Sequence, residues 1–194
     1  VPGLSNPASQ PKFNVTVPNA LDPGFIYNIK KGKAKISVGQ SVQFTGLVDT
    51  SNNPLPTTVW GYGDDNDKMY TWPGRTFQMS SNQNLEVKWT NRLGTLPMPV
   101  TSFGRPVIDT SLHWAYSLPG YEGYSVEKDG VPIVPHVHGG HTDYQFDGNP
   151  EFFFSPGFTL RGPQWVEKKY VYKNDQPAGT VWYHDHALGI TRLN

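Results

Sequence analysis

Cysteine is absent from all 194 residues. That excludes disulfides, thiolate nucleophiles, iron–sulfur clusters and cysteine-held zinc, and it leaves the compartment open. Excess charge of either sign is missing too, since 16 Lys and Arg balance 16 Asp and Glu. No summed field therefore draws in nucleic acid or an anionic membrane surface, and neither is expected as a partner. No apolar run reaches the roughly 18 residues that a membrane-spanning helix needs. The opening "VPGLSNPASQPKF" has no basic segment leading into an apolar one. A secretion signal is expected either never to have been present or to have been removed. Uninterrupted helical windows are also scarce, because 20 Gly and 18 Pro punctuate the chain.

What is there reads as strand. Alternating or β-branched runs bounded by turn residues occur as "KFNVTV", "AKISVGQSVQFTG", "TTVWGYG", "RTFQM", "NLEVKWTN", "VPIVPHVHG", "KKYVYKN" and "GTVWYHDH". In the fifth of these, Leu85, Val87 and Trp89 alternate with Glu86, Lys88 and Thr90, the pattern of a sheet with one wet face. Turn-rich connections such as "DTSNNPLP" and "KNDQPAG" separate the runs. Residues 96–130 read as an elaborated loop, and no fixed period marks a propeller or solenoid. The length suits one domain, and the expected fold is an all-β antiparallel sandwich or barrel. Asn14-Val15-Thr16 matches the N-glycosylation pattern, which carries meaning only in a eukaryotic secretory context.

Four of the six histidines form two H-x-H units, His136 with His138 and His184 with His186. In a strand, residues i and i+2 share a face at roughly 6–7 Å between Cα atoms. Two such strands side by side would converge four neutral imidazoles. Imidazole suits copper, zinc, iron and nickel, and a set without carboxylates argues against calcium or magnesium. One such pair is weak evidence, since a lone buried histidine is usually a hydrogen-bonded core residue; two pairs in strand-like contexts favour a metal over coincidence. His141 falls off the alternation and is expected in a loop beside the site, and His113 in "SLHWAY" is expected to be structural. Asp185 should face away from the metal and bond to neighbouring backbone or side chain. Trp182 and Tyr183 should pack, and Gly139 and Gly140 should let the chain leave its strand sharply.

The stretches "VPHVHGGHTDYQFDGNPEFFFSPG" and "GTVWYHDHALGITRLN" resemble the two N-terminal copper motifs of multicopper oxidases, in the branch of spore-coat laccase and bilirubin oxidase. "TTVWGYG" and "GRTFQMSSNQNLEVKWTNRL" resemble that branch as well, so the likeness runs from about Val38 to Asn194. The resemblance implies an N-terminal cupredoxin domain, a Greek-key β-sandwich covering residues 34–194, with residues 1–33 as an N-terminal extension. It implies an oxidase that takes electrons from phenolic or similar reductants and reduces dioxygen to water. His136 would bind type 2 copper, His138 and His184 one type 3 copper, and His186 the other type 3 ion. Asp147 in "FDGNPE" would help deliver protons; a solvated aspartate in an Asp-Gly turn is the plainer reading of the same residues.

The family's type 1 copper needs a cysteine, so that centre is not expected in this chain. The other four cluster histidines are missing as well, and the family continues past "TRLN" into an apolar strand that completes the domain. The expectation is therefore a fragment lacking its final strand: nicked, split or truncated, inactive alone and partnered by the remaining cupredoxin domains as a separate chain or cleaved segment. Secretion is the expected localisation. Two other classes compete. A mononuclear cupin also uses H-x-H but usually adds a glutamate soon after, where this chain has "GGHTD". A non-catalytic carbohydrate-binding sandwich would use tryptophans such as Trp72 and Trp165.

Overall fold

The computed structural model describes residues 6–94 and 118–188. Six strands carry the architecture: β1 Lys33–Val48, β2 Pro54–Asp64, β3 Leu85–Asn91, β4 Pro135–His138, β5 Lys169–Tyr172 and β6 Trp182–Asp185. A single turn of α-helix, Val126–Asp129, is the only α-helix among the described residues. The expected all-β sandwich is what forms. No helix among the described residues is long and apolar enough to cross a membrane.

One sheet has the order β2-β1-β3-β5 and the other pairs β4 with β6. The β1–β2 hairpin is antiparallel from Ile36 opposite Asp64 to Phe44 opposite Pro56, whereas β1 and β3 run parallel. Alternation in β3 buries Leu85, Val87 and Trp89 and leaves Glu86, Lys88 and Thr90 partly exposed. These three side chains join Ile36, Val38, Tyr170 and Tyr172 of the same sheet with Ile133, Val134, Phe153 and Phe154, which lie around the second sheet. Burying such aliphatic and aromatic side chains is worth about 1.5–3 kcal/mol each before ordering costs. Tyr183 of β6 bridges the sheets, its ring 4.9 Å from Tyr62 and 6.4 Å from Trp89. Residues ahead of β1 join the same core through Tyr27, whose ring meets Phe77 at 4.7 Å.

Two expected strands do not form. "KFNVTV" has the right alternation but makes no strand pairing, although Val15 lies against Gly46 of β1, and Phe13, Val15 and Val17 stand exposed. "RTFQM" makes one parallel bridge, Thr76 with Ile26. It is held instead by Phe77 and Met79 packing on the core. His113 lies outside the described residues, as does most of the 96–130 stretch.

Candidate metal centre

β4 and β6 are antiparallel, with His136 opposite His184, Val137 opposite Tyr183 and His138 opposite Trp182. Alternation sends Val137 and Tyr183 toward the core and gathers the imidazoles on the other face. The His136 ring lies 5.6 Å from His138, 5.2 Å from His184 and 5.2 Å from His186. His184 and His186 are 5.6 Å apart and nearly parallel. One ligand atom from each of His136, His138 and His184 falls within 4.8 Å of the others. His186 contributes a ring to the cluster without joining that triad. His141 stands apart in an exposed loop, 3.5 Å from Asp175.

Backbone carbonyls select the tautomers. His136 Nδ1–H donates to the carbonyl of Asp147, and His184 Nδ1–H donates to the carbonyl of Asp185 at 2.6 Å. A carbonyl only accepts, so both rings keep the Nε2 lone pair free. His138 presents the other nitrogen, its Nδ1 3.4 Å from His184 Nε2. At that distance a His138 Nδ1–H would donate to the His184 Nε2 lone pair, and a cation in place of that proton would also fit, since two ligands of a tetrahedral metal with bonds of about 2.0–2.1 Å lie about 3.3 Å apart. Burial depresses the pKa of both His136 and His184 below the ordinary histidine value, outweighing the opposite pull of the carbonyls. Both are thus held in the neutral form a metal requires. The donors are borderline nitrogens with no carboxylate in the triad, a set that fits copper.

Two neighbours singled out in the sequence, Trp182 and Asp147, touch the imidazoles in ways the sequence did not show, and a third, Gly148, escapes sequence reading. Trp182 stacks on two ligand rings, 4.9 Å from His138 and 4.3 Å from His184, while half exposed. Its position two residues before His184 on the same face was the available signal. Asp147 meets His136 with its carbonyl, its carboxylate oxygen being 3.5 Å from Nδ1. Gly148, at φ +82°, packs so closely that a Cβ there would collide with the Cβ of His136. Asp185 faces inward. Its Oδ1 accepts from Val134 N–H at 2.7 Å and its Oδ2 from Ala187 N–H at 3.1 Å. Burial pushes its carboxyl up to about 7, against the pull of the backbone N–H groups of Val134, Ala187 and His186.

Below the imidazole face, a cleft of about 750 Å³ is walled by Phe77, Met79, Leu85, Val87, Trp89 and Tyr183.

No protein-family model matches the chain. A laccase of Bacillus subtilis (strain 168) is 38% identical over 139 residues, 72% of this chain and 23% of that protein. Multicopper oxidase LPR1 homolog 5 of Oryza sativa subsp. japonica is 35% identical over 174 residues, covering 87% of this chain and 24% of its own length. A laccase of Haloferax volcanii is 34% identical over 139 residues, 71% of this chain and 21% of its own. Among solved structures, a laccase from Pediococcus acidilactici superposes with a TM-score of 0.44 at 20% identity, over 84% of this chain and 24% of that one. The chain thus spans about a quarter of the length of the curated relatives it matches.

Proposed function

This chain belongs to the multicopper oxidases as one of their cupredoxin domains, and we propose that it supplies part of a trinuclear copper cluster in an oxidase that reduces dioxygen to water. The observation that carries the proposal is the convergence of imidazole nitrogens from β4 and β6 on one face without a carboxylate. His136 would serve the type 2 copper, His138 and His184 one type 3 copper, and His186 the other. When bound, copper would supply the one-electron steps by which electrons from a phenolic or similar reductant reach dioxygen.

The remaining work falls to side chains of this domain. The carbonyls of Asp147 and Asp185 hold His136 and His184 in the tautomer that binds through Nε2. Stacking of Trp182 limits rotation of His138 and His184 and keeps water off one face of each ring. The half-exposed carboxylate of Asp147, 3.5 Å from His136 Nδ1, would hold a proton and pass it toward the cluster. Type 1 copper and the other ligands would come from the rest of a longer protein, since no cysteine exists here. The cupin alternative is disfavoured because the triad includes no glutamate.

The test is copper uptake and oxidase activity. The 194-residue chain alone should bind copper substoichiometrically and fail to oxidise a phenolic reductant, and adding the remaining domains should restore both. Replacing His136 and His184 together by alanine should abolish uptake. Robust phenol oxidation by the chain alone, or undiminished copper in the double variant, would overturn the assignment.

A further inference from the structure

We infer that Asp185, which lies between His184 of β6 and His186 just beyond it, is a positioning residue whose side-chain oxygens set the spacing of the two ligand-bearing strands. The inference rests on the copper reading above. It comes from where the β4–β6 ladder changes character. His186 N–H donates to the Val134 carbonyl at 2.8 Å, one rung of an antiparallel pair. The return rung would use Val134 N–H, and the Asp185 Oδ1 takes that donor at 2.7 Å. The other carboxylate oxygen takes Ala187 N–H at 3.1 Å. A single side chain therefore joins the residue two before His136 to the residue just after His186. Strand pairing stops at Asp185, so His186 is placed by its own rung and by this clamp.

The geometry demands two acceptor oxygens on one short side chain. Hydrogen bonds from neutral N–H groups to a carboxylate are shorter and roughly twice as strong as neutral ones. An asparagine would offer one oxygen and turn an N–H₂ group toward a backbone donor. A glutamate would carry its oxygens one methylene too far. Tyr183, on the same inward face two residues earlier, provides the contrast: its hydroxyl donates to the Arg75 carbonyl at 2.7 Å and never reaches β4. Losing that bond should weaken the fold without moving a ligand.

The experiment uses Cu(II) as the probe, on the full chain and on D185N, D185E and Y183F. Affinity is read by competition with a chelator, coordination by the electron paramagnetic resonance of the bound Cu(II), and folding by near-ultraviolet circular dichroism. D185N and D185E are expected to stay folded, to bind Cu(II) about 10–100-fold more weakly and to show altered copper hyperfine coupling. Y183F should melt earlier with an unchanged copper spectrum. Unchanged affinity and spectrum in D185N would overturn the clamp, as would an equal spectral change in Y183F. Failure of the wild-type chain to bind Cu(II) through imidazole would sink the copper reading itself and is separately visible. Should both aspartate variants fail to fold, amide exchange on the wild-type chain decides: Val134 and Ala187 N–H should be protected, and rapid exchange at either rejects the clamp.

Discussion

Gly148 shows how a residue with no side chain can govern a metal ligand. Its φ of +82° is open to glycine at little cost and strained for any L side chain. The same turn aims the Asp147 carbonyl at His136 Nδ1. Gly148→Ala would add the strain of a left-handed backbone and drive a methyl into the Cβ of His136. The expected outcome is a loss of more than about 1 kcal/mol of stability and about 10–100-fold weaker copper binding, checked by thermal melting and metal competition. Wild-type copper affinity in that variant would mean that the ring does not depend on this turn. Period-two alternation made the H-x-H pairs legible in the sequence, because strand geometry alone puts i and i+2 on one face. The roles of Gly148 and the Asp147 carbonyl were not legible: they depend on a loop folding back onto β4, and no local pattern encodes which main-chain oxygen arrives. Asp147 itself was singled out for its carboxylate, while its closest tie to His136 is through the backbone.

At the level of elements, burial decided which alternating runs became strands. "NLEVKWTN" formed as read because both of its edges are paired, to β1 and to β5. "KFNVTV" has equal alternation but buries none of its apolar side chains, so propensity alone left it unpaired. β1 carries the same lesson within one strand. Ile36 and Val38 are buried, while Val42 and Phe44, on the same face further along, stand 60% and 62% exposed. Where β3 ends, Asn91 ties it to the second half of the chain. Its Nδ2 donates to the carbonyls of Val131 and Phe154, and its Oδ1 accepts from Leu93 N–H, all out of contact with water. The sequence shows only an asparagine at a strand end, a common turn signal, so this junction could not be foreseen. Asn91→Ala leaves the Val131 carbonyl and the Leu93 N–H without the amide, each costing about 1–3 kcal/mol, while the Phe154 carbonyl keeps the Ile133 N–H. A loss of about 3 kcal/mol or more is expected in denaturant melts, and a change under about 1 kcal/mol would show that water replaces the side chain.

Across the whole molecule, the same packing that seats the imidazole strands also buries tyrosines from distant parts of the chain. Burial holds Tyr27 up at about 12, and it raises Tyr62, Tyr170 and Tyr172 well above the ordinary tyrosine value. In the unfolded chain the same hydroxyls ionise near pH 10. Because the folded values are the higher ones, the folded state binds more protons above pH 10, and stability must fall as pH rises. The contribution is fully present below about pH 10 and is lost as pH climbs through the folded values. Each tyrosine removes about 1 kcal/mol or slightly more per pH unit in that window, so four acting together rival the 5–15 kcal/mol that holds a typical domain folded. The chain is expected to unfold in one cooperative step between about pH 11 and 12, with tyrosinate absorbance and loss of near-ultraviolet circular dichroism rising together. Tyr27→Phe should move that midpoint upward by removing one titrating group. If these four tyrosines instead ionised gradually near pH 10 while the dichroism persisted, the core that backs the imidazole face would have to be open to water.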